Sequence, residues 1–353
     1  MKKILIGLSG GVDSAIATYL LKKQGYHITA GFMKNYIDEE NPNCSTYQDA
    51  KEAIKVAEFL GIEIISFDLR QEYEEKIIKY IYDGYQKGIT PNPDILCNNL
   101  IKFDVFLEKA LKLGFDGIAT GHYARIVPIL DNGGMGYKLL RGVDYNKDQS
   151  YFLSGLNQYQ LSKTLFPIGD MTKNEVRELA KKIGLPNFDR PDSQGLCFVG
   201  NVPMREFLKK RLAVKKGDIV LLDGTKVGEH DGAYFFTIGQ SRGLNINKKA
   251  YVVKTDVEKN LVYVSYKKLE KELISKEIFI SDRHWIRKKY NFPLECTTKI
   301  RYRQETQKAT IFEINEKEKK LKVIYKNDQW GIAPGQTLTA YIDDECVGSG
   351  LIV

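Results

Sequence analysis

Short apolar runs alternate with segments of helical spacing along the first half of the chain. Ile4-Leu5-Ile6-Gly7-Leu8 reads as a buried β-strand, bounded by lysines before it and a glycine turn after it. From about Ser14 to Gln24, Ile16, Tyr19 and Leu20 share one helical face, and Gly25 supplies a stop. His27 to Met33 predicts a second strand, Tyr47 to Leu60 a helix closed by Gly61, and Ile62 to Phe67 a third strand. Helices over Gln71 to Tyr85 and Phe103 to Leu113 follow, then a strand from Asp116 to Thr120. This alternation predicts an α/β domain, a doubly wound parallel sheet with helices on both faces. Ligands of such sheets bind at the carboxyl ends of the strands.

Further on, a hairpin turns at Asp131-Asn132-Gly133-Gly134, with Tyr137 to Arg141 as its return strand. A helix after Thr172 carries a capping box with Glu175 and stops at Gly184. From about Val202 the period changes. A short basic helix (Met204 to Leu212) leads into strands at Ile219 to Leu222, Tyr234 to Phe236, Tyr251 to Thr255 and Leu261 to Val264, a small β-rich central domain. A second series, Glu277 to Ile280, Thr297 to Arg303, Ala309 to Ile314, Leu321 to Tyr325, Leu338 to Ile342 and Cys346 to Val353, predicts a C-terminal β-barrel. The boundaries drawn are 1–203, 204–274 and 275–353. Strand alternation over Thr297 to Arg303 puts Lys299, Arg301 and Arg303 on one face, a cationic stripe suited to a phosphate backbone.

Composition narrows the class. With 43% hydrophobic and 28% charged residues in 353, the chain carries no disorder signature and has length for two or three domains. No run of 18 apolar residues exists, and the N-terminal apolar run is too short for a signal peptide, so a cytoplasmic protein is expected. The five cysteines are dispersed without a C-x-x-C, which is neither a disulfide framework nor a zinc site. In a reducing compartment any disulfide would be transient and catalytic. A net charge of +8 permits a polyanionic partner.

Candidate chemistry starts at Ser9-Gly10-Gly11-Val12-Asp13-Ser14. Strand, glycine turn and helix N-terminus together make a phosphate cradle. The loop lacks the lysine of G-x-x-x-x-G-K-[ST] and is not G-x-G-x-x-G. It resembles the loop of the N-type ATP pyrophosphatases, which split ATP between the α and β phosphates. Two turn-rich stretches carry a cysteine each: Thr90-Pro91-Asn92-Pro93-Asp94 with Cys97, and Arg190-Pro191-Asp192-Ser193-Gln194-Gly195 with Cys197. Cys97 lies before the helix expected at Phe103, where a helix N-terminus would favour a thiolate. His122, beside a turn, is assigned a structural place.

Several ordered pieces resemble the bacterial tRNA-specific 2-thiouridylases over nearly the whole chain. They are Ser9–Ser14, Gly31-Phe32-Met33-Lys34-Asn35, Pro91–Asp94 with Cys97, Ala119-Thr120-Gly121-His122-Tyr123, Lys147-Asp148-Gln149-Ser150, Asp192–Gly195 with Cys197, Thr237-Ile238-Gly239-Gln240, Arg301-Tyr302 and Ala333-Pro334-Gly335-Gln336. The resemblance implies a pyrophosphatase domain, a central β domain and a tRNA-binding barrel. It implies replacement of the C2 oxygen of wobble uridine by sulfur, with ATP and magnesium, tRNA through its anticodon stem-loop, and a persulfide donor (a cysteine desulfurase or sulfur carrier) as partners. A monomer is expected.

By the same resemblance, Gly7, Leu8, Ser9, Gly10, Gly11, Val12, Asp13, Ser14, Met33 and Gly121 bind ATP, with magnesium near Asp13. Cys197 carries the persulfide, Cys97 is the nucleophile that attacks the persulfide or resolves it, and Asp94 is the acid/base or base-orienting group. Asn92, Pro93, Asp94, Lys147, Asp148, Gln149, Arg301 and Tyr302 contact tRNA. A second family mechanism places an iron–sulfur cluster on Asp94, Cys97 and Cys197, which match it equally. Departures from the family pattern stand at Tyr36-Ile37-Asp38, Asn99-Leu100 and Ser241.

Overall fold

The computed structural model describes residues 1–37, 45–131, 134–192, 202–315 and 320–353. Asp38, Cys44, Asn132-Gly133, and the segment from Ser193 through Cys197 lie outside the described residues.

Strands β1 (Lys3–Gly7), β2 (His27–Lys34), β3 (Ile64–Asp68) and β4 (Gly117–Ala119) begin an all-parallel sheet. A hairpin, β5 (Ala124–Asp131) and β6 (Gly134–Arg141), leaves it, and β7 (Thr164–Leu165) returns to complete the order β3-β2-β1-β4-β7. The pleat of β1 explains its two-sided burial. Ile4 and Ile6 pack with Ala15, Ile16 and Leu21 of helix α1 (Val12–Lys23) and Val56 of α2 (Ser45–Leu60). Leu5 points to the other face, among Phe103, Phe106 and Ile118.

The helix bearing Cys97 starts ten residues earlier than its spacing predicts. It opens as α3 (Pro93–Cys97), continues through a π-type segment, Asn98–Val105, and ends as α4 (Phe106–Lys112). Proline is well suited to the first helical turn, where its missing N–H has no partner to lose. Asp94 in that turn complements the helix dipole. Asn92-Pro93-Asp94 is therefore a helix start, and Cys97 sits inside the helix rather than at its mouth.

The central unit is a four-stranded sheet of β8 (Gly217–Leu221), β9 (Lys226–His230), β10 (Tyr251–Asp256) and β11 (Leu261–Ser265) in the order β10-β11-β8-β9. No strand forms over Tyr234 to Phe236: Tyr234 and Phe235 lie in a 3-10 turn, Ala233–Phe235, Phe236 follows it, and the apolar run reflects the burial of Phe235 and Phe236. β9 was invisible in the pattern because an edge strand need not be apolar.

Six strands, β12 (Ile274–Trp285), β13 (Leu294–Lys299), β14 (Gln307–Asn315), β15 (Lys320–Trp330), β16 (Thr337–Ile342) and β17 (Glu345–Ile352), form the C-terminal barrel. It closes because β12 pairs with both β15 and β17. The barrel is tied to the first unit by main chain: β6 pairs with β17 through Leu140 with Glu345 and Leu139 with Cys346. Strand β13 stops at Lys299, so the expected three-residue cationic stripe does not form. Lys299 is only 8% exposed, with its ammonium 3.8 Å from the buried Asp148 carboxylate. Arg301 and Tyr302 lie in the turn beyond it. Among the described residues no helix is long and apolar enough to cross a membrane.

Candidate active site

Between β1 and α1 the chain makes the glycine loop. Ser9 is exposed, while Gly11 and Asp13 are partly so. The Ser14 hydroxyl donates to Gly11 O (3.0 Å) and lies 3.2 Å from the Ser9 hydroxyl. Leu8 and Val12 are buried in the core beneath the loop, so they offer a nucleotide main chain only. Met33 is buried beside Gly7, and Gly121 packs on the start of α1 so closely that a Cβ would stand 2.7 Å from Ser14 N. The residues assigned to ATP are thus brought together at the carboxyl ends of β1, β2 and β4.

Asp13 accepts from the Tyr123 hydroxyl (2.8 Å) and from the Lys173 ammonium (2.7 Å). Burial and then the negative charge of Asp13 push the Tyr123 hydroxyl far above its ordinary pKa, so it remains a donor. The other face of Lys173 meets Asp192 at 2.7 Å. Lys147 and Arg177 reach the same carboxylate, each at 2.8 Å. Burial by itself would raise the pKa of Asp192, but hydrogen bonds from Lys147, Lys173 and Arg177 outweigh it and hold the group well below the usual carboxylate range. Spacing gave no sign of Lys173 or Arg177, because their partners are distant in sequence.

The segment from Lys147 to Tyr151 links this loop to a second feature. Gln149 N donates to Tyr123 O, and its side-chain oxygen accepts from Tyr123 N. The Tyr151 hydroxyl accepts from the Asn92 amide (3.1 Å) and donates to Thr337 O (3.0 Å). Asp148 is 2% exposed, and its carboxylate accepts from Gly142 N, Ser150 N and the Ser150 hydroxyl. The Asp148 carboxylate, assigned to tRNA from sequence, is thus an internal brace for the 142–150 main chain. Lys147 is turned to Asp192.

The second feature is a cavity of about 420 Å³ where the first unit meets the barrel. Asn92, Pro93, Asp94, Tyr151 and Phe152 form one wall; Arg301, Tyr302, Arg303 and Gln336 form the other. The Tyr302 ring lies on Phe152 with centroids 4.3 Å apart. Arg301 places its guanidinium over Trp330 (5.3 Å) and donates to Gly331 O. Gln336 fixes the loop before α3 by donating to Thr90 O (3.0 Å) and Pro91 O (3.2 Å). Asn92, Pro93 and Asp94, assigned from sequence to the base, and Arg301 and Tyr302, assigned to tRNA, therefore line one cavity although they stand more than 200 positions apart.

Cys97 is fully buried, one turn along α3 from Asp94. Cys197 lies outside the described residues. Of the three cluster donors, Asp94 and Cys97 are among the described residues, and among those residues no three His, Cys, Asp or Glu side chains gather as a metal site. His122 is a core histidine. Its Nδ1 is 2.7 Å from the Thr120 hydroxyl, its ring packs on Phe103 and Phe166, and burial drives its pKa well down.

Three family models match in order: a tRNA methyl transferase HUP domain over residues 2–201, a tRNA methyl transferase PRC-barrel domain over 205–266 and an aminomethyltransferase β-barrel domain over 275–352. The tRNA-specific 2-thiouridylase MnmA of Flavobacterium johnsoniae is 42% identical over 397 residues, covering 100% of both chains. The protein of the same name from Bacillus subtilis is 41% identical over 99% of this chain and 94% of its own. An NMN synthetase from Francisella tularensis superposes on 54% of this chain and 66% of its own, with 18% identity and a TM-score of 0.34. With full-length identity at this level and all three models in sequence, the chain belongs to the tRNA-specific 2-thiouridylase family.

Proposed function

We propose that this protein is a tRNA 2-thiouridylase, which activates the C2 oxygen of wobble uridine with ATP and replaces it by sulfur. The observation that carries the reading is the joining of two sites by one segment: Gln149 holds Tyr123 against Asp13 of the glycine loop, and Tyr151 holds Asn92 at the cavity. A nucleotide at the loop and a base in the cavity would lie on either side of it.

A carbonyl oxygen is a poor leaving group. Its attack on the α phosphate forms a C2–O–AMP bond and releases pyrophosphate, which the loop N–H groups and the helix N-terminus stabilise. Magnesium would accompany ATP near Asp13. The terminal sulfur of a Cys197 persulfide then attacks C2, and AMP leaves. The Cys97 thiolate attacks Cys197 Sγ, the S–S bond breaks toward the base as 2-thiouridine, and a Cys97–Cys197 disulfide remains for a thiol reductant to open. In this reading Asp94, which lines the cavity, orients the base or moves its proton. The target base must leave its stack, which costs least in an anticodon loop.

In this reading Arg301 and Tyr302 meet the tRNA, the donor is a cysteine desulfurase or a sulfur carrier, and the protein works as a cytoplasmic monomer. Cys197→Ser separates the steps. It is expected to keep tRNA-dependent pyrophosphate release and to lose sulfur transfer. Continued thiolation from a persulfide donor would remove Cys197 from the role.

A further inference from the structure

The glycine loop is held at Gly10 by two side chains of the 187–190 segment. Gly10 O accepts two hydrogen bonds, from the Asn187 amide at 2.6 Å and from Arg190 Nη1 at 2.9 Å. Arg190 is itself held by the Asp49 carboxylate of α2. Asn187 is 2% exposed. Gly10 has φ +75°, and a Cβ there would stand 2.6 Å from Asp49 O and 2.8 Å from Arg190 Nη1. The main chain of α2 and the 187–190 segment therefore close on the back of this residue.

Peptide geometry makes this contact consequential. In a trans peptide the C=O of one residue and the N–H of the next point in opposite directions within the peptide plane. Two donors on Gly10 O fix the Gly10–Gly11 plane with its oxygen to the rear. The Gly11 N–H is thereby directed to the front, on the side of the Ser9 hydroxyl, which it approaches at 3.4 Å. Glycine at positive φ costs little to rotate. Without the two donors this plane can flip and present a carbonyl oxygen, rather than an N–H, to an anion.

We propose that Asn187 and Arg190 are positioning residues for the ATP step: they lock the Gly10–Gly11 peptide so that the loop offers an N–H to the phosphates. They act through Gly10 and touch no substrate. The two residues stand three and six positions before Ser193, so the same segment that aligns the loop leads on to the cysteine. Asp192, in between, is tied to Asp13 through Lys173. This assignment rests on the reading of the loop as an ATP site.

The test compares Asn187→Asp, Asn187→Ala and Arg190→Lys in the full-length protein, reading KM for ATP and kcat in tRNA-dependent pyrophosphate release, with melting temperature alongside. Asn187→Asp keeps the shape but sets an oxygen against Gly10 O. It is expected to raise KM for ATP at least tenfold, and more than Asn187→Ala does, while KM for tRNA stays within twofold. Arg190→Lys keeps a donor and should remain within about threefold of the parent. If Asn187 only fills space, Ala is the more harmful change and Asp is close to neutral; that order overturns the proposal. A KM for ATP within twofold of the parent in both Asn187 variants overturns it as well. If the unaltered protein releases no pyrophosphate and binds no ATP, it is the function that fails, and the two failures are told apart.

Discussion

Lys173 stands 2.7 Å from Asp192, and the same ammonium stands 2.7 Å from Asp13 of the glycine loop. One side chain, about one-eighth exposed, thus joins the loop that would take ATP to the residue that begins the Cys197 stretch. Removing an ammonium this enclosed strands two partly buried carboxylates. Lys173→Met is expected to slow tRNA-dependent pyrophosphate release on the order of tenfold or more. Steady-state rates against ATP concentration check this; an unchanged rate would reduce the bridge to packing.

The carboxylate of Asp192 gives a pH signature. Its pKa in the folded protein is depressed below the unfolded value of about 3.9. A depressed acid stabilises the fold fully above the unfolded pKa, and that stabilisation is lost as pH falls toward the folded one. The urea midpoint of the parent should therefore exceed that of Asp192→Asn by a constant margin from pH 5 to 7, and the margin should shrink below about pH 4. A margin that grows on acidification would contradict the assignment.

Lys299 and Arg301, neighbours in sequence, are expected to behave differently. Burial lowers the Arg301 pKa, yet its guanidinium borders the cavity, whereas the Lys299 ammonium is turned inward to Asp148. Arg301→Ala should weaken tRNA binding and flatten the slope of log affinity against log salt by roughly one. Lys299→Ala should leave the slope alone and lower the melting temperature. Equal slopes for both variants would return Arg301 to a structural part.

Gln336 hydrogen-bonds the carbonyls of Thr90 and Pro91, which precede Asn92 and Asp94. Gln336→Leu removes the donor to two part-buried carbonyls, which solvent can still reach, so the cost in stability is small. Turnover should fall with only a modest change in melting temperature, because the effect is confined to the entrance of α3. A normal kcat in this variant would show that the barrel does not set the loop.

The apolar runs made the first unit legible, since parallel strands are buried on both faces and read as continuous hydrophobic blocks. The Ser9–Ser14 loop was legible because its chemistry is local. What escaped depends on tertiary contact. The cationic stripe failed because Lys299 is drawn inward by Asp148, which no strand period encodes. Asp148, given a tRNA contact by resemblance, is a buried acceptor for main-chain N–H groups. The start of α3 was hidden by reading Pro93 as a turn former rather than a first-turn helix residue. Lys173 and Asn187 carry no motif, Arg190 reads only as part of a turn-rich stretch, and all three act through partners from 19 to 180 positions away.

Analysis of nucleosides from tRNA incubated with this protein, ATP and a sulfur source, run both aerobically and anaerobically, tests the central claim most directly. The account predicts 2-thiouridine at position 34, dependent on ATP and absent with Cys97→Ser, with the aerobic arm separating a persulfide route from a cluster-dependent one. No 2-thiouridine at that position under either condition would contradict it.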